Sequence, residues 1–86
     1  MTAGEIFIAN ARKIRRRRGL TQTEWARLMG FKVKAISDME RGARRIDVSE
    51  ALTIASRLGY TVEEMCREGF LDTVQEEEYY DSEQCS

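Results

Sequence analysis

The sequence predicts an all-α fold, a compact five-helix bundle, on three observations. The pattern Thr/Asp-x-x-Glu occurs at Thr21–Glu24, Asp47–Glu50 and Thr61–Glu64, at helix-length spacing. In that pattern a short side chain caps the helix and the Glu reaches back to the capping residue. Apolar residues recur at helical spacing, without the apolar–polar alternation of a half-buried strand. The 86 residues contain no Pro and little β-branched clustering, and this length allows one domain with a small core.

Each element follows in chain order. Residues 1–4 are small and expected to fray. Residues 5–18 form the first helix, with Phe7, Ala11 and Ile14 on one stripe; Ile8 flanks that stripe or faces a partner. Arg12, Lys13 and four consecutive arginines from Arg15 to Arg18 crowd its end. Cations suit the negative end of the helix dipole, so the cluster reads either as a solvated helix end or as a phosphate-facing patch. Gly19 ends the helix.

The second helix opens at Thr21 and buries Trp25, Ala26 and Met29. It stops at Gly30, which tolerates the positive φ of a sharp turn, and Phe31 plugs that turn. The third helix starts near Val33, turns Ile36 and Met39 inward and ends at Gly42. Its outer face carries Val33, Lys34, Ser37, Asp38 and Arg41, a short surface of mixed charge. Residues 42–46 are a basic loop. The fourth helix follows Asp47, with Val48, Ala51, Leu52, Ala55 and Leu58 as its expected core stripe and Gly59 as its stop. Tyr60 packs under the next turn. The fifth helix spans residues 62–68 with Met65 inward, and Phe70 and Leu71 are either late core or a dimer contact.

Charge divides the chain. Residues 1–60 hold 13 Lys/Arg and 6 Asp/Glu, a balance of +7; residues 61–86 hold 1 Arg and 9 Asp/Glu, a balance of -8. A basic domain favours polyanions, while an acidic end is a solvated tail or an interaction segment. The expected organisation is a domain over residues 1–74 and an acidic, flexible tail over residues 75–86. The chain has no His. That excludes a mixed Cys/His zinc site and His-based acid–base or nucleophilic catalysis, so no enzyme and no cofactor or metal are expected. Cys66 and Cys85 belong to no CxxC pair and read as free thiols. No apolar run is long enough to span a bilayer and no signal peptide pattern is present, so the expected compartment is the cytoplasm.

The run GLTQTEWARLMG followed by AISDMERG resembles the lambda repressor/Cro-type (XRE-like) helix-turn-helix domain, and the similarity extends from about Phe7 to Met65. The resemblance implies a lambda repressor-like fold, a bacterial or phage origin, and double-stranded DNA as partner, with the third helix in the major groove. It implies a structural ion pair between Arg15 and Glu40, tying the first helix to the third. It assigns Lys32, Val33, Lys34, Ser37 and Asp38 to base reading. Lys donates to guanine O6 and N7, Val suits a thymine methyl, and Asp accepts from cytosine N4. Asp38 also stands four residues after Lys34, a spacing at which the two pair. Lys32 and Asp38 depart from the residues common at those positions. Gln22, Arg41, Arg44 and Arg45 are expected on phosphates, with Gln22 at a helix N-terminus that presents free N–H groups.

The function expected is a sequence-specific transcriptional regulator, a repressor, binding a palindromic operator as a homodimer. The alternative is an antitoxin-type or protein-interaction regulator whose acidic C-terminal segment, with EEEYYDSE at its centre, binds a partner protein.

Overall fold

The computed structural model describes residues 1–74. Among them are five α-helices and no strand: α1 (Ala3–Arg17), α2 (Gln22–Met29), α3 (Val33–Arg41), α4 (Val48–Leu58) and α5 (Val62–Met65), followed by one 3-10 turn over Phe70–Asp72. The all-α expectation holds. The acidic segment, residues 75–86, lies outside the described residues.

The three anticipated capping boxes form at Thr21, Asp47 and Thr61, each with the Glu side chain bonded back to the capping amide. A fourth forms at Thr2 with Glu5, so residues 1–4 are not a frayed start and α1 begins two residues before the expected position. The Thr2–Glu5 spacing is the same Thr-x-x-Glu pattern. Gly30 and Gly42 close α2 and α3 at φ 79° and 81°, a left-handed conformation in which a Cβ would be strained.

The core holds Phe7, Ala11 and Ile14 of α1, Trp25, Ala26 and Met29 of α2, and Ile36 and Met39 of α3, all buried as their spacing suggested. In α4 the expected stripe needs correction. Ala51, Ile54, Ala55 and Leu58 are buried, whereas Val48 and Leu52 are 75% and 56% exposed. Two stripes pass the i, i+3, i+4 test in this sequence. The one containing Ile54 wins because it faces α5 and α2, the neighbours α4 packs against.

Two further expectations change at the C-terminal end. α5 stops at Met65 rather than running to residue 68. Phe70 and Leu71 are core residues, 2% and 6% exposed, and not a dimer contact. Tyr60 meets Phe70 edge-to-face, with ring centroids 5.0 Å apart and planes at 87°, a favoured aromatic geometry. Asn10, the one buried polar residue among those described, holds this end of the chain onto α1. Its Nδ2 donates to the carbonyls of Met65 at 2.8 Å and Arg67 at 3.2 Å. The Met65 carbonyl ends α5 and lacks an intrahelical donor, while that of Arg67, beyond the helix, also accepts from the Phe70 amide at 3.2 Å.

Candidate nucleic-acid interface

The inner side of α3 is fixed by Glu40. Its two oxygens accept from Arg15 Nε and Nη2, each at 2.9 Å, in a bidentate pair. Gln22 Nε2 donates to the same carboxylate at 3.0 Å, and Arg12 Nε stands 3.8 Å away. Arg15 Nη1 also donates to the Leu20 carbonyl at 2.8 Å. The side chains of Arg15 and Glu40 are 12% and 7% exposed. One carboxylate therefore joins α1, α2 and α3. Bidentate guanidinium–carboxylate geometry fixes direction as well as distance, so it sets how α3 sits in the domain.

The outer side of α3 is built differently. Lys34 and Arg41 both donate to Asp38, one turn away on either side. Lys34 is 82% exposed and Arg41 62%. The Asp38 carboxyl is held below its ordinary value, first by the Lys34 hydrogen bond and then by that of Arg41. Val33 is 44% exposed, Lys32 is exposed, and Ser37 is half-buried on the same side.

Lys32 occupies the N-cap position of α3 and makes no side-chain capping bond. The other four helices described all carry a full capping box. The first-turn amides of Val33 and Lys34 bond to no group among the described residues. The positive end of this one helix is thus left open beside its exposed cations.

Past Gly42 the loop to α4 presents Arg44 and Arg45. Arg44 donates both terminal nitrogens to Glu50, which raises the Arg44 pKa and lowers that of Glu50 through the same hydrogen bonds. Arg45 makes no side-chain hydrogen bond and no ion pair among the described residues. Lys32, Val33, Lys34, Ser37, Asp38 and Arg41 thus stand together on α3, with Arg44 and Arg45 on the adjoining loop. Gln22 departs from this arrangement: its amide turns inward to Glu40, while its own N–H at the start of α2 bonds to no group among the described residues.

The helix-turn-helix family model matches residues 12–65, more than half of the chain. The chain belongs to the lambda repressor-type helix-turn-helix family. That family is one of DNA-binding transcription regulators and is not typically enzymatic. None of the curated proteins compared matches the chain. No helix among the described residues is long and apolar enough to cross a membrane.

Two structural residues escaped the sequence reading. Asn10 lies three residues after Phe7 on the buried stripe, and a polar residue at such a position asks for a buried partner. Arg57 Nη1 donates to the Leu28 carbonyl at 2.7 Å, closing the C-terminal end of α2 from α4. No local signal marks that second contact, since the residues are far apart in sequence.

Proposed function

We propose that the protein is a sequence-specific repressor that binds a palindromic operator as a homodimer. The observation that carries the reading is α3 itself: an N-terminus without a side-chain cap beside Lys32, Val33 and Lys34, on an outer face where Lys34 and Arg41 reach into solvent. Val33 and Lys34 sit in the first turn, the part of a recognition helix that reaches base edges in the major groove. Ser37 and Asp38 lie one turn further and add a hydroxyl and an acceptor for cytosine N4. Asp38 is held by Lys34 and Arg41, so reading a base requires an exchange of partners within this trio. Such an exchange is cheap at an exposed site, where ion pairs are worth little.

Arg41, Arg44 and Arg45 serve the phosphates. Arg45 needs no rearrangement, whereas Arg44 must leave Glu50. Gln22 contributes through its free N–H at the start of α2, more than through its side chain, which serves Glu40. Dimerisation supplies the area that one small module lacks. The exposed apolar pair Val48 and Leu52, at i and i+4 on α4, supports a contact with a second copy and takes the place of the buried Phe70 and Leu71. Residues 1–74 form the DNA-binding domain in this reading, and the regulator acts in the cytoplasm.

A second reading has its own support. Residues 75–86 hold five carboxylates and two tyrosines with no Lys or Arg, a composition that suits a basic protein partner, as in an antitoxin-type regulator. Selection of bound duplexes from a random pool tests the first reading. The expected outcome is an enriched palindrome with half-site centres about 34 Å apart. Enrichment of a single half-site would reject the dimer, and no enrichment would reject sequence-specific binding.

A further inference from the structure

A groove of about 660 Å³ lies between the N-terminal half of α1 and the end of α3 with its following loop. Its volume falls within the range of about 300–1,000 Å³ typical of occupied pockets. Ile8, Ala9 and Ile46 give it an apolar lining, and Arg12, Arg41 and Arg45 stand on its rim. Two carboxylates also line it, and both are engaged. Glu40 is held by Arg15 and Gln22, and Glu5 accepts from the Thr2 amide at 2.8 Å. The groove therefore offers cations and apolar surface, with its acids already satisfied.

We infer that this groove receives the chain's own segment Glu76–Glu83, with Tyr79 or Tyr80 on the apolar lining and the flanking carboxylates on the arginine rim. The chemistry matches on both counts, since the segment EEEYYDSE alternates a block of acid, two aromatics and more acid. An aromatic ring with a polar tip suits a surface that is apolar within and wet at its edge. Arg45, without a side-chain hydrogen bond or ion pair among the described residues, gains a partner at no loss of a bond there.

Reach permits it. The 12 residues after Val74 span up to about 40 Å when extended, whereas the whole of α1 is only about 22 Å long. Asn10 anchors the turn after α5 to α1, and Ile8, Ala9 and Arg12 belong to the same stretch of that helix. Tethering raises the segment's effective concentration at the groove to the millimolar range, so a weak site suffices.

The regulatory consequence rests on the DNA-binding reading, because Arg41 and Arg45 are also phosphate ligands there. A docked tail covers them and weakens binding to random DNA most, since that binding rests on phosphate neutralisation. The docking itself requires no DNA, so the two claims fail separately.

The test uses the full chain with Cys66→Ser, leaving Cys85 as the one site for a nitroxide label. Amide signals of Gly4, Ile8, Ala9, Gly42 and Ile46 should lose most of their intensity at low salt. Those of Leu28 and Arg57, which do not line the groove, should keep theirs. The effect should vanish in the triple variant Glu76→Gln, Glu77→Gln, Glu78→Gln, and at 1 M salt, where screening acts over about 3 Å. Equal broadening at both sets of amides would overturn the inference. So would broadening that survives the triple variant, or broadening lost on dilution with unlabelled chain, which marks contact between molecules. Without a label, the triple variant should shift the same groove amides, and no shift there would overturn it as well. In a separate binding arm, the triple variant should raise affinity for a random duplex several-fold at low salt. Docking with unchanged affinity would remove the regulatory consequence alone.

Discussion

Glu40 and Asp38 stand two residues apart on α3 and face opposite ways. Each holds two cationic side chains or their equivalent, yet the surroundings differ. Glu40 is 7% exposed and binds groups from α1 and α2. Asp38 binds only its own helix, at 18% exposure, and both its partners reach into solvent. A carboxylate largely closed off from water cannot release its partners without leaving a charge unpaired, whereas a more exposed one exchanges them with water or ligand. The inner pair thus holds the helix, and the outer trio is free to trade partners with solvent or, in the proposed reading, with DNA. One helix carries a fixed and an exchangeable charge network because its two faces meet different media.

The largest way to break this comparison is Glu40→Ala. It strands Arg15 in a nearly closed site and should destabilise the fold by about 3 kcal/mol. Arg15→Met with Glu40→Leu should recover part of that loss. Urea unfolding of the three chains measures both, and a loss of Glu40 below about 0.5 kcal/mol would make the pair an ordinary surface one.

Next come the two kinds of DNA contact. Lys34→Ala should relax base preference at one position by about 1–3 kcal/mol, while Arg45→Ala should weaken all duplexes alike and lower the salt slope by about one. Arg44→Ala should change the slope less than Arg45→Ala, because Glu50 already occupies Arg44. Binding of selected and random duplexes over several salt concentrations separates the three. Equal slopes for Arg44→Ala and Arg45→Ala would show that the Glu50 pair gives no protection.

A smaller effect is expected at the caps. Thr21→Ala removes the hydroxyl that accepts from the Glu24 amide at 3.1 Å and should cost about 1 kcal/mol. Thermal melts report it directly. The smallest effect is with pH. Glu5 and Glu24 are lowered from 4.5 by their capping bonds. Glu50 is lowered by Arg44, and Asp38 is lowered from 3.8 by Lys34 and Arg41. Groups with depressed native values contribute stability above their unfolded values and lose it as pH falls through the native ones. Stability should therefore decline below about pH 4.5, in acid, and a melting midpoint tracked from pH 7 to pH 3 checks this.

Most of the fold was legible because helix signals are local. Caps at Thr21, Asp47 and Thr61, and stops at Gly30 and Gly42, are set by residues three or four apart. Thr2 obeys the same rule. The misplaced stripe of α4 has a different cause: Val48 and Leu52 are as apolar as Ile54, and only the position of α5 and α2 decides which face is buried. The end of α5 at Met65 coincides with the bonds of Asn10 to Met65 and Arg67, contacts over fifty residues apart in sequence. At the site, spacing placed Val33, Lys34, Ser37, Asp38 and Arg41 on one outer face. It did not show that Gln22 turns to Glu40 or that Glu50 claims Arg44, since both contacts join separate elements.

The division between a holding face and an exchanging face is tested most directly by two isosteric changes, Glu40→Gln and Asp38→Asn, each followed by urea unfolding and by affinity for a random duplex. Both remove one negative charge from α3, so electrostatics at long range alters equally. Glu40→Gln should lower the unfolding midpoint clearly. Asp38→Asn should leave the midpoint nearly unchanged and raise affinity for random DNA several-fold at low salt, as Lys34 and Arg41 are released to the phosphates. Loss of stability with Asp38→Asn equal to that with Glu40→Gln, together with unchanged DNA affinity, would contradict it.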